Sequence, residues 1–486
     1  MDYSNEQKKR LRKFNLRSSV IHTEGNLIEN FNIIQKIFPT SDLVKKKLII
    51  NDKLAMLFYL SGLVDEKKIA HFINTISINS NLNETNLFIT NNTERTNQIL
   101  EIEKFILEGK SILFIEGDPI SFVYSTENWP QRSYMPPSID NSLKGSKISF
   151  VETYQSNIAL LRRLIQSRDF QIKQTEVGKE NKTLVAISYI DGLIDEDLLS
   201  GINQKIASLK IDNLLSANHL AQLMEGNPFS PFPQFLTTER PDVAALSLLE
   251  GKVVIVVDCS SEVIILPINF AIFFKTIDDY TSRAIVTSFN RILRIFAFFI
   301  TIFLPGVYIA IISFNYEIVP LKLLLSIGES RAKVPFDPLF EAIVMELTLE
   351  MLREAAIRLP SPISTTVGVV GGIVIGQAAV QAGIVSNIMV IVVAITAISS
   401  FIIPNYEMAS SLRVIRFPVM IMASLFGLIG LIVSTMVLMI HGLSLSSFDK
   451  PYTLPFSPIN REAFMDTFIR VPLRYLWKKH SKRNEE

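Results

Sequence analysis

Glu346, Glu350, Arg353 and Glu354 recur at three- and four-residue spacing within Pro335–Pro360, a stretch that also carries Glu341 and Arg358. On a helix such a set shares one face. Two chemistries are open to it: ion pairs along a solvated interfacial helix, or a charged ring in an oligomer that selects cations. Gly368, Gly372 and Gly376 follow at four-residue intervals, inside Ser364–Gly383, which is rich in Gly, Ala, Ser and Thr and includes Gly371. Small residues in that register let helices approach closely, with Gln377 and Gln381 supplying polar contacts across the interface. The same residues can line a narrow pore. The adjacent carboxylates Asp278 and Asp279 can bind a cation or begin a solvated helix.

Catalytic patterns are missing. There is no GxxxxGK[ST] loop, no strand-linked GxGxxG, no HExxH and no GxSxG. The five histidines, His22, His71, His219, His441 and His480, are scattered. Cys259 is the single cysteine, which excludes an intramolecular disulfide and a cysteine-based zinc cage. The expectation is a chain that is not an enzyme and holds no cofactor and no metal. A net charge of +1 supplies no basic excess for a nucleic-acid partner.

The elements that must position these residues follow from charge and hydropathy. Of the 486 residues, 48% are hydrophobic and 20% charged, and the mean hydropathy is +0.30. Charges are frequent up to Arg294 and sparse beyond it. Residues 295–316 carry none and, as a helix, reach about 33 Å, enough to cross a bilayer core. Residues 359–406 run uncharged for long enough to make two spans, at 362–382 and 386–404, with a bend near Gly383–Asn387. A fourth span is expected at 417–440. Ile318–Ile327 is short, contains Lys322, and reads as interfacial or re-entrant. No apolar run follows the basic start Met1–Arg17 within signal-peptide range. Four spans put both termini on one side, and the Lys and Arg before the first span and after the last make that side cytoplasmic.

The half before the membrane repeats itself. Leu54–Glu66 matches Leu184–Glu196 without a gap through Tyr59/Tyr189, Gly62/Gly192 and Asp65/Asp195. Leu107-Glu-Gly109-Lys110 likewise matches Leu249-Glu-Gly251-Lys252, each followed by an apolar strand. The expected fold is an α/β soluble region of two similar modules, followed by an α-helical multi-span membrane domain. Its organisation is a tail at 1–41, modules at 42–124 and 172–268, a connector at 125–171, a membrane domain at 269–448 and a cytoplasmic tail at 449–486. The Asn-rich stretch Asn74–Asn97 reads as a surface loop. Ile148–Ser167 reads as an amphipathic helix, with Phe150, Tyr154, Ile158, Leu161 and Ile165 on one face and Arg162 and Arg163 on the other. It packs the modules together or meets another subunit. Asn227–Pro233 is a turn-rich segment with Phe plugs. Thr237–Asp242 is a helix start with a Thr cap, Pro241 in the first turn and acidic Glu239 and Asp242.

These segments together resemble the A subunit of the GerA-family spore germinant receptors from about Leu43 onward. The motifs that carry the resemblance include Pro228-Phe-Ser-Pro-Phe-Pro233, Thr238-Glu239-Arg240-Pro241-Asp242, Asp278-Asp279-Tyr280 with Arg291 and Arg294, Leu304-Pro-Gly-Val-Tyr-Ile-Ala310, Met345–Ala355, Val374-Ile-Gly-Gln-Ala-Ala379 and Ala382-Gly-Ile-Val-Ser386. The resemblance implies a multi-pass protein of the inner spore membrane or cell membrane that works with a transporter-like B subunit and a lipoprotein C subunit. It also implies a homo-oligomer in contact with membrane lipids, opening to monovalent cations when nutrient is sensed. The residues expected to carry that role are Glu346, Glu350, Gly371, Gly372, Gln377 and Gln381. Where the family often has Glu before Ala-Gly, this chain has Gln381; Asp258-Cys-Ser-Ser261 and Lys144-Gly-Ser146 also depart from its pattern. Two other readings stand beside it. One is an accessory paralogue that amplifies germination without sensing nutrient. The other is a membrane transporter, against which the lack of inverted hydropathy repeats counts.

Overall fold

A computed structural model of the chain describes residues 23, 25–50, 52–78, 93–128, 137, 145–448, 450–457 and 467–470. The basic start Met1–Arg17, the centre of the Asn-rich stretch at 79–92 and the basic residues beyond 470 lie outside them. The chain forms two compact units. One comprises 1–142, 146–225 and 235–267; the other comprises 143–145, 226–234 and 268–486.

The first unit holds two five-stranded sheets. In the first module, helix α1 (Leu27–Ile37) precedes β1 (Leu43–Ile50), β2 (Lys53–Leu60), α2 (Glu66–Ile78), β3 (Thr93–Thr96), α3 (Ile99–Leu107), β4 (Ser111–Ile115) and β5 (Ser121–Tyr124). Helix α4 (Tyr154–Leu164) leads to the second module: β6 (Phe170–Val177), β7 (Thr183–Ile190), α5 (Glu196–Ser208), α6 (Ala217–Met224), β8 (Leu236–Thr238), α7 (Pro241–Leu249), β9 (Val253–Val257) and β10 (Val263–Leu266). The strand orders, β1-β2-β4-β5-β3 and β6-β7-β9-β10-β8, correspond strand for strand, and all pairings are antiparallel. The internal repeat is therefore a duplicated module. Strands β4 and β9 are buried along their whole length, as the unbroken apolar runs Ile112–Ile115 and Val253–Val257 require when helices cover both faces. Phe58, Ile112 and Phe114 pack under α1 and α3, while Leu57, Leu113 and Phe122 pack with Ile69 of α2 on the opposite side.

The repeated glycines have a shared steric cause. Gly109 and Gly251 end α3 and α7 with φ of +85° and +83°. A Cβ on either would stand 2.7 or 2.8 Å from the carbonyl oxygen of Leu63 or Leu193, so only glycine lets the helix end pass the turn.

The connector differs from its expected form. Its helix spans Tyr154–Leu164 rather than 148–167, because the chain before it is committed elsewhere. The Phe150 amide donates to Glu239 O at 2.7 Å and the Val151 amide to the Asn157 side chain at 2.8 Å. Arg162, expected on the exposed face, is 1% exposed. Its Nε and Nη2 donate to the Asp42 carboxylate at 2.9 and 2.8 Å. Beside this pair the Ser41 amide donates to Ile172 O at 3.0 Å, fastening the start of β1 to β6. Helix α4 thus joins the two modules through a buried ion pair as well as apolar packing.

The second unit is helical. A 3₁₀ turn (Phe270–Phe274) and short α8 (Asp278–Thr281) precede α9 (Ala284–Ser313), α10 (Leu321–Arg331), α11 (Pro338–Arg358), α12 (Ser361–Gln381), α13 (Asn387–Ile402) and α14 (Tyr406–Ser444). Among the described residues, α9 and α14, at 30 and 39 residues, are long and apolar enough to cross a membrane. Helix α9 packs along α14, and a Cβ on Gly306 would come 3.0 Å from Leu431, marking close contact between them. Helix α14 kinks at Gly427, whose φ of 59° and ψ of −137° break the ladder inside the apolar run. Helices α12 and α13 join through 382–386, where the Ser386 hydroxyl caps α13 by accepting from the Met389 amide at 3.3 Å. Residues 318–327 divide between a 3₁₀ turn and α10, with Leu321, Leu323 and Leu325 exposed.

Because Arg162 and Asp42 are both buried, Arg162→Ala leaves a carboxylate without its counter-charge. Urea unfolding followed by hydrogen exchange in α4 and β6 is expected to show a loss of about 3–5 kcal/mol. The double change Arg162→Leu with Asp42→Leu is expected to recover most of it.

Candidate functional site

Helix α11 is the hub of the charged residues in the second unit. Its Ala342 and Met345 pack with Ile309 of α9, Met389 and Val393 of α13 and Met420 of α14. This apolar contact turns Glu341 and Glu346 inward, where both are fully buried. Arg416 of α14 brings Nη1 to 2.9 Å from Glu346 Oε2. Neither Glu346 oxygen accepts a well-aligned hydrogen bond among the described residues, so charge attraction is what joins the pair. Glu350, one turn on, meets Arg353 at 3.0 Å and Arg413 at 3.2 Å, with Arg416 at 3.9 Å. Arg353 reaches α13, donating to Ser400 Oγ at 3.2 Å and lying 4.7 Å over the Phe401 ring. Three guanidinium groups thus face two carboxylates, locking α11 to α13 and α14.

The intrahelical option holds for some of these residues. Glu350–Arg353 is an i,i+3 pair, and Glu354 pairs with Arg358 at 2.6 Å on an exposed surface. Glu346 finds its partner outside the helix, in the interior of the unit. Glu350 keeps 39% side-chain exposure. Glu341, absent from the candidate set, pins the α12–α13 hairpin: its Oε2 accepts from the Ser386 amide at 2.9 Å, and Oε1 lies 3.5 Å from Arg331 of α10. Sequence spacing concealed these partners, because Arg331, Ser386 and Arg416 lie outside the stretch.

The small-residue helix α12 lies against α11 and α13. A Cβ on Gly371 would stand 3.0 Å from Leu352 Cδ2, and one on Gly376 3.7 Å from Val390 Cγ1. Around Gly372 no heavy atom of the described residues lies within 4 Å of the corresponding position. Gln377 and Gln381 are exposed. The glycines of this stretch therefore divide into a packed pair, Gly371 and Gly376, and an open position, Gly372.

The Asp278–Asp279 pair is not a solvated helix start, since Asp279 is 2% exposed. Arg294 Nη1 donates to its two oxygens at 3.0 and 2.9 Å, and Arg291 Nε donates at 3.0 Å. The Thr276 amide and hydroxyl complete the shell at 3.2 and 3.1 Å. Burial raises the Asp279 carboxyl, but the hydrogen bonds and charges of Arg294 and Arg291 outweigh it and hold the group below its ordinary value. Guanidinium groups fill the positions a bound cation would need. Among the described residues no group of three His, Cys, Asp or Glu could hold a metal ion. In the first unit, Arg240 rather than a Thr takes the cap position of α7 and pairs with Asp242 at 2.6 Å, while Thr238 Oγ1 accepts the Arg240 amide at 3.1 Å. Pro241 occupies the first helical turn and Glu239 is buried.

Comparison with known proteins gives a consistent picture. The family model described as Bacillus/Clostridium GerA spore germination protein matches residues 32–482. Spore germination protein GerQA of Bacillus cereus is 36% identical over 453 residues, covering 92% of this chain and 91% of the relative. Spore germination protein KA of Bacillus subtilis (strain 168) is 37% identical over 466 residues, covering 93% and 84%. The crystal structure of the N-terminal domain of the A subunit of the Bacillus megaterium spore germinant receptor GerK3 aligns with 52% of this chain and 98% of its own, at 25% identity and a TM-score of 0.41.

Glu346→Gln leaves buried Arg416 with only the longer 3.9 Å approach to Glu350, and thermal melting of the solubilised chain is expected to report a loss of up to about 3 kcal/mol. Adding Arg416→Gln is expected to restore part of it. For Asp279, a native carboxyl held below its unfolded value adds stability that is complete above the unfolded value. That stability is lost as pH falls from there through the lower native value. Melting of α9 is therefore expected to be insensitive to pH from 7 to 5 as far as this group is concerned, and to fall below about pH 4. In Asp279→Asn that acid-side decline is expected to flatten, from a lower starting stability.

Proposed function

The chain belongs to the GerA family of spore germination proteins, and from that premise we propose that it is the A subunit of a nutrient germinant receptor, assembling in the spore membrane into a nutrient-gated path for monovalent cations. The family match across nearly the whole chain carries the receptor reading. In this reading α9 and α14 anchor the chain in the bilayer, both termini are cytoplasmic, and the duplicated modules pass a rearrangement to the helices. A transporter-like B subunit and a lipoprotein C subunit complete the receptor.

The channel part of the reading is supported by α12. Gly372 has open space beside it, and Gln377 and Gln381 are exposed on a helix otherwise dominated by apolar and small residues. Gln377 and Gln381, one turn apart, make an exposed polar face that suits a water-lined path between copies, while Gly372 lies roughly half a turn around the helix from them. Glu346 and Glu350 act as the lock that sets the position of α11, and hence of α12, through Arg413 and Arg416. The relatives are named as spore germination proteins, and in this reading the chain acts by conformational change and ion passage.

The test is potassium efflux from liposomes containing the chain with its B and C partners, while candidate nutrients are titrated. Nutrient-dependent efflux is expected. Gly372→Leu meets no neighbour among the described residues, so it is expected to abolish efflux with melting unchanged; Gly371→Leu, pressed against Leu352, is expected to lose both. Efflux unaltered by Gly372→Leu would remove the Gly372 side of α12 from the ion path. No efflux at all, with oligomers in the bilayer, would leave an accessory or scaffolding role.

A further inference from the structure

Residues 226–234 belong to the helical unit although the chain on either side, α6 and β8, belongs to the sheet unit. This strap is stiff. It contains Pro228, Pro231 and Pro233, and Gln234 closes it by accepting from the Gly226 and Asn227 amides at 3.0 and 3.2 Å and donating to Asn227 O at 2.7 Å. Its far side is held at the end of α14. His441 Nε2 lies 2.9 Å from Ser230 Oγ, and the His441 ring stacks on Phe232 at 5.9 Å.

Two residues just beyond α14 tie the strap to a second crossing, at Pro267–Ile268. The buried Ser447 hydroxyl donates to Gln234 O at 3.2 Å and accepts from the Ile268 amide at 3.3 Å. Tyr452 repeats the arrangement: its hydroxyl donates to Pro233 O at 2.9 Å, and its carbonyl accepts from the Phe270 amide at 2.7 Å. The segment holding them is braced, with Ser446 and Ser447 paired to Pro451 and Lys450 in a short ladder. One small node of hydrogen bonds therefore holds residues 233–234 and 268–270 against the segment just beyond α14.

We infer that Ser447 and Tyr452 are positioning residues that couple the sheet unit to the last helix. A displacement of α6 or β8 reaches the strap through covalent bonds, and the closed, proline-stiffened strap does not absorb it. The hydroxyls of Ser447 and Tyr452 then convey it to the end of α14. The inference rests on the receptor reading for its role in germination, but the mechanical link is measurable without it.

Ser447→Ala and Tyr452→Phe each remove one hydroxyl and keep the packing. In the purified full-length chain in nanodiscs, hydrogen exchange in α6 and β8 is expected to speed up by about five-fold for each lost bond, although neither substituted residue lies in that unit. In spores carrying either variant, the maximal nutrient-triggered germination rate is expected to fall with the half-saturating nutrient concentration unchanged. Faster exchange confined to 226–234, 268–270 and 446–452, with α6 and β8 unchanged, would overturn the coupling. If wild-type spores gave no nutrient response while exchange spread to α6 and β8, the receptor reading would fail and the coupling would stand.

Discussion

A guanidinium withdrawn from water must meet a carboxylate, and three such meetings fix where the long elements of this chain go. Arg162 meets Asp42 between the two modules, Arg291 and Arg294 meet Asp279 at the start of α9, and Arg416 meets Glu346 between α11 and α14. Removing two charges from water costs several kcal/mol per ion, and only a well-placed partner offsets it. A shifted apolar contact forfeits packing, but a new apolar neighbour can recover part of it. A shifted buried charge recovers nothing, since both partners are left uncompensated. The ion pairs therefore select one arrangement among the many that the apolar surfaces would tolerate.

What was legible in the sequence follows from that division. The repeat was visible because each module needs the same Gly62/Gly192 turn and the same Gly109/Gly251 helix end, and these positions admit no other residue type without strain or a clash. The apolar helices were visible because composition alone distinguishes them. The break between α12 and α13 was marked by Gly383 and Ser386. The ion pairs were not legible, because a charge on a helix face carries no sign of whether its partner is four residues away or seventy. Arg162 and Arg163 are adjacent and chemically alike, yet only Arg162 is buried. The kink at Gly427 was hidden for a related reason: one glycine among apolar neighbours looks like packing until the backbone angles are known.

The same division explains why α11 rather than α12 holds the charges. Glu341 secures the α12–α13 hairpin at its turn, and Glu346 and Glu350 secure α11 against α14. With its neighbours fixed in this way, α12 itself needs no charged contact. Its Gly371 lets Leu352 come close and its Gly376 admits Val390, and packing density does the rest.

The remaining face of α12 has a different energetic status. Gln377 and Gln381 would each lose hydrogen bonds to water if that face lay against lipid tails, a penalty that lipid offers nothing to offset. An isolated chain in a bilayer would bear that penalty in full, whereas copies arranged around a shared aqueous path would not. The proposed ion path therefore rests on the Gln377–Gln381 face of α12, and the proposed gating leverage on the charged helix that holds it.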